Sequence, residues 1–148
     1  MKKIYLAGKF SHLYALVDDE DFEEMSKISW ILHEKGYAVN PKIGRMHRLV
    51  NKTPKGLQTD HRSGDKLDNR RSNLRSCNNA QNQYNKPLRK DNKSGHKGIA
   101  WNKVCNKWEA YVKTPEKKIH LGTFIKLEDA VSARNTAAFE LHGEFFSP

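Results

Sequence analysis

The sequence predicts an α+β protein assembled from three small parts, for three reasons. Positive charge is concentrated in one third of the chain, the polar segment 88–95 has the composition of a linker, and the hydrophobic periodicity changes from one part to the next. We therefore expect a small strand-and-helix unit over residues 1–44, a strand–loop–strand–helix core over 45–93, and a three-stranded antiparallel sheet with one helix over 94–148.

The excess of basic residues lies almost entirely in the middle part. The formal net charge is +10, of which residues 1–44 contribute −1, residues 45–93 contribute +9 and residues 94–148 contribute +2. Such a cluster is typical of a surface that binds a polyanion, because each neutralised phosphate releases condensed counterions. On charge alone, a basic surface that only keeps the protein soluble stays open as an alternative.

Cysteine content and hydropathy exclude several classes of protein. The two cysteines, Cys77 and Cys105, form no Cys-x-x-Cys pair, which excludes a four-thiolate zinc knuckle and argues against a disulfide framework. The start of the chain has no apolar run of signal-peptide length, and no segment is long and apolar enough to cross a membrane. We expect a cytoplasmic protein with no membrane partner.

The pattern over residues 1–44 predicts short strands around one helix. An apolar run at 14–17 suits a strand, and Asp18 is placed to cap a helix, because a carboxylate there accepts orphan amide hydrogens. Apolar side chains then recur at helical spacing, at Phe22, Met25 and Ile28, and two strands follow around the turn at 35–36. This part shows no residues with evident chemistry.

Residues 94–148 alternate polar and apolar side chains in three runs, HKGIAWN, KWEAYVKT and KKIHLGTF, as a half-buried antiparallel sheet does. A helix follows, because apolar residues between Leu127 and Leu141 recur every three or four positions, and Gly143 is suited to end it. The sheet face away from this helix is expected to carry basic and aromatic side chains: Lys97, Lys103, Lys113, Lys118, Trp101 and Tyr111.

The residues that could perform chemistry lie in the middle part. QTDHRSG reads as a strand, LRSC as its partner, and a helix begins near Asn78, so that Asp60 and His61 lie on a strand and Asn82 on the helix. Phosphodiester cleavage needs a base, a role that suits histidine near pH 7, and a cation bound by hard oxygen ligands. Adjacent strand residues point to opposite faces, so Asp60 and His61 serve one site only if the strand end is twisted or the ion sits at its edge.

The string DH…LDNRRSNL…NNAQN resembles the HNH endonucleases, the ββα-metal nuclease family that includes phage and intron homing enzymes. By position, Asp60 corresponds to the metal-binding carboxylate, His61 to the general base, and Asn73 to the central asparagine that braces the loop and orients that histidine. Asn82 corresponds to the second metal ligand, where many relatives have histidine; an amide oxygen favours Mg²⁺, with Mn²⁺ as the alternative, over zinc.

Two further residues are interpreted through this resemblance. The segment MHRLV at 46–50 resembles a short helix that precedes the site in phage members, which places His47 near the active site with its role left open. Asn69 is interpreted as a turn residue that holds the loop.

Residues 94–146 resemble the ethylene-response-factor type of DNA-binding domain, most closely at KGIAW, KWEAYV and HLGTF. In that family the three-stranded sheet enters the major groove of double-stranded DNA. The matching positions give candidate DNA contacts: Lys97, Asn102, Tyr111, Lys113, Lys118 and His120. Trp108 and Phe124 are expected to pack under the helix instead.

Four arginines are expected to bind phosphates and so to position the duplex without reading its sequence: Arg70, Arg71, Arg75 and Arg89. The resemblances together imply a metal-dependent DNA endonuclease of a phage-infected or prokaryotic cell, of the homing or nicking kind. A monomer has one site and is expected to nick, whereas a dimer could cut both strands. Two alternatives stay open: a DNA-binding regulator whose nuclease core has decayed, and a protein that binds or cleaves RNA.

Overall fold

The computed structural model describes residues 1–146, and they form two compact units, one over residues 1–79 and one from Ala80 onward. Residues 1–146 contain four small antiparallel sheets, four α-helices and three short 3₁₀ helices, so the predicted α+β class is confirmed. Within the described residues, no helix has the length and apolar character needed to cross a membrane.

The first unit begins with a hairpin of β1 (Lys2–Tyr5) and β2 (Tyr14–Val17), followed by α1 (Asp19–Ser26). A second sheet has the order β3 (Ile31–Leu32), β4 (Ala38–Asn40) and β5 (Gly44–Arg45), and leads directly into α2 (Met46–Val50). The strands around residues 35–36 and the short helix at 46–50 therefore lie where the sequence predicted them.

The chemistry-bearing segment forms the hairpin of β6 (Gln58–His61) and β7 (Leu74–Cys77), which leads into α3 (Asn79–Tyr84). This is the predicted strand–loop–strand–helix arrangement. The long loop between the strands ends in a single 3₁₀ turn at Arg71–Asn73.

One apolar core holds the first unit together. Trp30 and Met46 are its largest fully buried side chains, and the Trp30 indole N–H donates to the carbonyl of Met25 at 2.8 Å. Residues before and after the predicted boundary at 44 share this core, which also includes Ile4, Leu6, Ala15, Val17, Ala38, Val50 and Leu74. Independent folding of residues 1–44 and 45–93 stays a prediction.

The N-terminal hairpin also holds the β6–β7 loop. The Leu16 amide donates to the carbonyl of Leu67 at 2.8 Å, and the Asn69 amide donates to the carbonyl of Leu16 at 2.8 Å, which makes a parallel bridge between β2 and the loop. Asp18 stands at the start of α1, yet its carboxylate accepts from the Arg71 amide at 2.8 Å and makes no capping bond. The predicted cap is therefore wrong, because the loop takes that carboxylate.

The second unit contains a sheet of order β10–β9–β8, formed by β8 (Ile99–Asn102), β9 (Lys107–Lys113) and β10 (Lys118–Phe124). The helix α4 (Leu127–His142) packs on one face of this sheet through Ala130, and Trp108 and Phe124 lie in the same cluster, as predicted. Gly143 follows α4 with φ +53°, a conformation that favours glycine at a helix end.

The end of α3 is fastened within the second unit. The Tyr84 ring stacks on the His142 ring with centroids 3.7 Å apart and an interplanar angle of 6°. The Lys97 ammonium lies 3.4 Å from the carbonyl of Tyr84, and the His142 Nε2 atom lies 2.9 Å from the carbonyl of Lys113.

Candidate active site

Asp60 and His61 end strand β6 and face opposite sides of the hairpin, as strand geometry requires. Asp60 lies opposite Arg75 and His61 lies opposite Leu74 in the strand register. Both are buried, with 7% and 5% of their surface exposed. A histidine and a carboxylate are thus sequence neighbours at one strand end, and their side chains lie on opposite faces of the hairpin.

The Asp60 carboxylate is paired with Arg75 across the hairpin. The Arg75 Nε and Nη2 atoms donate to Asp60 Oδ2 at 2.9 and 2.7 Å, and both side chains are buried. Arg75 is one of the four arginines expected to bind phosphates, but its guanidinium is buried against Asp60. A buried charge needs a partner of opposite sign, and Arg75 is that partner for Asp60.

His61 is bonded to Asn69 and lies against the rings of His47 and Tyr37. Its Nε2 atom lies 3.2 Å from Asn69 Oδ1. Burial lowers the pKa of His61 below its ordinary value, while the hydrogen bond with Asn69 and the nearby carboxylates of Asp60, Asp65 and Asp68 act in the opposite direction. A lowered pKa favours the neutral imidazole, which is the form that accepts a proton.

His47, on α2, packs against His61. The two ring centroids are 5.0 Å apart at an interplanar angle of 86°, and the Tyr37 ring lies 5.0 Å from His47 on another side. His47 is 3% exposed, and burial, followed by repulsion from His61, lowers its pKa to about 3. The Nδ1 atom of His47 is buried without a hydrogen-bond partner. His47, whose role the sequence leaves open, therefore lies near the active site in direct contact with His61.

Asn73 braces the loop rather than His61. Its Oδ1 atom accepts from the Ser63 amide at 2.9 Å, and its Nδ2 atom donates to the carbonyl of Asp68 at 2.8 Å. The expected bracing of the loop agrees with these bonds, whereas the expected contact with His61 is made by Asn69. The sequence does not reveal the bond between Asn69 and His61, because a turn asparagine has the same sequence neighbours whether or not its side chain contacts a histidine.

The residues that could hold a divalent ion supply oxygen ligands. Asp60, in the first unit, has a carboxylate, and Asn82, on α3 in the second unit, has an amide oxygen; that both hold one ion stays a prediction. Among residues 1–146, no group of three or more His, Cys, Asp or Glu side chains could hold a metal ion.

The other predicted arginines make ion pairs with different degrees of exposure. Arg70 donates to the Asp68 carboxylate at 2.6 and 2.8 Å, and Arg71 donates to Asp21 at 2.7 and 2.8 Å. Arg89 bonds to Asp91 but is 85% exposed. Of the four arginines, Arg89 therefore presents most of its side chain to solvent, and Arg70 and Arg71 present less than half.

The face of the second sheet opposite α4 collects five of the predicted DNA contacts. Tyr111 pairs with His120, Lys113 pairs with Lys118, and the Lys118 ammonium lies 3.7 Å from the centre of the Tyr111 ring. Asn102 lies on the same face, where its amide donates to Glu109 at 2.7 Å and its carbonyl accepts from the amides of the following turn.

Trp101 does not lie on this face. It pairs with Trp108, with ring centroids 4.9 Å apart, and therefore stands on the helix side of the sheet. The prediction that Trp101 belongs to the open face is wrong, because strand alternation places Ala100 and Asn102 there instead.

A cleft of about 1100 Å³ lies beside the sheet in the second unit. Its lining includes four predicted DNA contacts: Arg89, Lys97, Tyr111 and Lys113. Lys97, which precedes β8, is half-buried, and burial lowers the pKa of its ammonium group. The segment 88–95 contributes to this lining, so it follows the sheet edge at this cleft.

Comparison with known proteins gives the family. Residues 51–84 match the HNH endonuclease family. The chain is 31% identical over 151 residues to a protein of Acanthamoeba polyphaga mimivirus named as an uncharacterized HNH endonuclease, covering 97% of this chain and 78% of that protein. It is 36% identical over 92 residues to Protein 3.8 of Escherichia phage T7, covering 62% of this chain and 75% of that protein. No solved structure matches.

The chain belongs to the HNH endonuclease family. The hairpin with Asp60 and His61, its loop and the start of α3 all lie within the matched segment 51–84. Membership of this family indicates a nuclease, implies DNA as its substrate, and implies a divalent metal ion of the kind that HNH enzymes generally use.

Proposed function

We propose that this nuclease hydrolyses phosphodiester bonds of double-stranded DNA with one divalent ion, Mg²⁺ or Mn²⁺, and with His61 as the general base. The observation that supports this most is the environment of His61, a buried imidazole bonded to Asn69, whose pKa is lowered by burial and which directly follows Asp60 in the strand. A base that is neutral near pH 7 and held in one orientation suits proton abstraction from water.

In the proposed reaction the oxygen of a water molecule attacks phosphorus, and its proton passes to the His61 imidazole. The bond between phosphorus and the leaving oxygen breaks, and that oxygen takes a proton from solvent. Asp60 and Asn82 would hold the ion, which stabilises negative charge on the phosphate and the leaving oxygen. Asn73 keeps the loop closed over this hairpin through its bonds to Ser63 and Asp68.

DNA binding is assigned to basic residues of both units. The open sheet face with Tyr111, Lys113, Lys118 and His120, and Asn102 at its edge, would enter a groove in the manner of the ethylene-response-factor domain that residues 94–146 resemble. Lys97, Arg70, Arg71 and Arg89 would bind phosphates, which fix the register of the duplex without reading its sequence.

One active site cuts one strand, so we propose a monomer that nicks duplex DNA at chosen sites. A double-strand cut would require a dimer or two successive nicks. A homing role, in which the nuclease spreads the DNA that encodes it, is consistent with the viral and phage relatives.

The test uses supercoiled plasmid incubated with the wild-type protein and with His61→Ala, each with Mg²⁺ and with chelator. We expect relaxation to open circles by the wild type alone, and only with the ion. Equal relaxation by both proteins would remove His61 from the mechanism. A linear product at early times would contradict nicking by a monomer.

A second candidate function is a DNA-binding regulator with a decayed nuclease core. The observation that favours it is the pairing of Asp60 Oδ2 with Arg75, an interaction that can neutralise a former metal ligand. This candidate predicts tight, salt-sensitive binding of duplex DNA with no relaxation by the wild type under Mg²⁺ or Mn²⁺.

A further inference from the structure

We propose that Asn69 is a positioning residue that fixes the tautomer of His61, so that Nε2 carries the proton and Nδ1 is the atom that accepts the proton of the attacking water. This inference rests on the proposed function for its catalytic consequence. The contact between the two side chains, by contrast, is a property of the protein without substrate.

The orientation of the Asn69 amide follows from its two hydrogen bonds. The Nδ2 atom donates to the carbonyl of Leu67 at 3.1 Å, so this end of the side chain must be the NH₂ group. The other end, Oδ1, then faces His61 Nε2 at 3.2 Å. An amide oxygen can only accept a hydrogen bond, and therefore Nε2 of His61 must be the donor in this pair.

Asn69 is itself held rigidly, which lets it impose this choice. The residue is 1% exposed and is among the largest fully buried side chains of the protein. Its backbone amide donates to Leu16 and the neighbouring Leu67 carbonyl accepts from Leu16, so β2 fixes the loop on which Asn69 stands. A partner fixed by a strand of a separate hairpin defines the ring orientation better than a mobile loop side chain does.

The same contact has a role after proton transfer. Once Nδ1 has taken the proton, the ring is a cation with N–H groups at both nitrogens, and the Asn69 oxygen accepts from Nε2 in both states. The hydrogen bond becomes stronger when its donor is charged. Loss of Asn69 should therefore slow the chemical step more than it weakens DNA binding.

Two variants of the full-length protein separate this role from bracing of the loop. Asn69→Ala loses the contacts with both His61 and Leu67. Asn69→Asp keeps an acceptor towards His61 but loses the donor towards Leu67. If Asn69 acts through His61, Asn69→Asp should retain more function than Asn69→Ala. If Asn69 only braces the loop, both variants should be equally impaired.

The primary measurement is the ¹⁵N spectrum of His61 in the protein without DNA, which distinguishes a protonated Nε2 from a protonated Nδ1. We expect protonated Nε2 in the wild type and in Asn69→Asp, and a mixture of tautomers in Asn69→Ala. Asn51→Ala is the matched control, because Asn51 bonds to the Thr53 and Ser76 hydroxyls and the His61 signal should not change.

The second measurement is the single-turnover cleavage rate at saturating protein, together with the Kd for duplex DNA. We expect a loss of roughly 10- to 100-fold in rate for Asn69→Ala, the range found when outer partners of catalytic ligands are removed, with Kd changed less than twofold. Asn69→Asp should recover most of this loss.

A wild-type His61 protonated at Nδ1 would overturn the proposal, and so would an Asn69→Ala protein with unchanged tautomer and rate. If Asn69→Ala does not fold, the wild-type spectrum and the Asn69→Asp variant still decide the question. Absence of cleavage by the wild type, with protonated Nε2 in its spectrum, would reject the nuclease function while leaving the positioning of His61 intact.

Discussion

At the scale of single residues, the pair His47 and His61 links the active site to stability. Burial lowers the pKa of His47 from 6.5 to about 3, so the unfolded chain binds a proton more readily than the folded chain between these values. Because the unfolded state gains protons first, this contribution to stability is complete above pH 6.5 and is lost as the pH falls towards 3.

We expect His47→Phe to lose less stability on acidification than the wild type. The phenyl ring keeps the packing against Tyr37 and His61 but does not titrate, so the difference in slope should be about 1.4 kcal/mol per pH unit below the ordinary histidine pKa. Urea unfolding at pH 7, 6 and 5 measures this difference. Parallel lines for the two proteins would mean that His47 titrates normally in the folded state.

Replacing the buried Arg75 should lower the stability of the protein far more than replacing the exposed Arg89. Replacing Arg75 by Met leaves the Asp60 carboxylate without its guanidinium partner, which should lower the free energy of unfolding by about 3 kcal/mol. Arg89→Met is the matched control, and its change should stay within about 0.5 kcal/mol. Equal stability of the two variants would show that the Arg75 side chain is not buried against Asp60.

At the scale of elements, the N-terminal hairpin and α1 act as the support of the active-site loop. Arg71, at the end of that loop, donates from its guanidinium to Asp21 and from its backbone amide to Asp18. Residues 1–44 contain no residues with evident chemistry, yet they support the site, because hydrogen bonds join them to the loop between β6 and β7.

We expect Asp21→Asn to lower the free energy of unfolding by about 1–2 kcal/mol, since it weakens two charge-assisted hydrogen bonds to Arg71. The amides of Asn69 and Arg71 should exchange with deuterium faster in this variant. Asp19→Asn is the control, because the Asp19 side chain is largely exposed and lies on the same helix turn. Loop amides that exchange at the wild-type rate in Asp21→Asn would contradict the supporting role of α1.

The sequence predicted the elements well where local patterns decide them. The strands with Asp60 and Leu74 and the sheet under α4 depend on local patterns that are visible in the chain, whereas the helix at 46–50 is implied by the resemblance to phage HNH members. The partners of Asp18, Arg75 and Asn69 could not be predicted, because each contact depends on strand register or on the packing of a loop rather than on the local pattern. The secondary-structure propensity of a residue concerns its own backbone conformation, whereas these side-chain contacts depend on how the hairpins pack against one another.

At the scale of the whole molecule, both units carry an excess of positive charge, and the second unit presents part of it on its open sheet face. The open sheet face of the second unit brings Lys113 and Lys118 together as cross-strand neighbours. Like charges placed directly opposite repel each other, and this arrangement is relieved when a phosphate binds between them.

We expect the double variant Lys113→Ala/Lys118→Ala to bind duplex DNA more weakly and with a smaller salt dependence. Each lost phosphate contact lowers the slope of log K against log salt by about 0.9, so the slope should fall by about 2. Fluorescence anisotropy at several salt concentrations measures it. Lys126→Ala, an exposed lysine at the start of α4, should leave the slope unchanged, and an equal fall in both proteins would remove the sheet face from the DNA contact.

The stacking of Tyr84 on His142 has a consequence for the exchange of modules between related nucleases. A recombination junction at residue 94 would bring in a new sheet and helix but separate Tyr84 from its ring partner. A junction before Asn79 would preserve the stack, yet it would replace Asn82 together with the incoming segment. A nuclease that acquires a new second unit by recombination would therefore either lose the ring stack that holds the end of α3 or carry the other parent's residue at the position of Asn82.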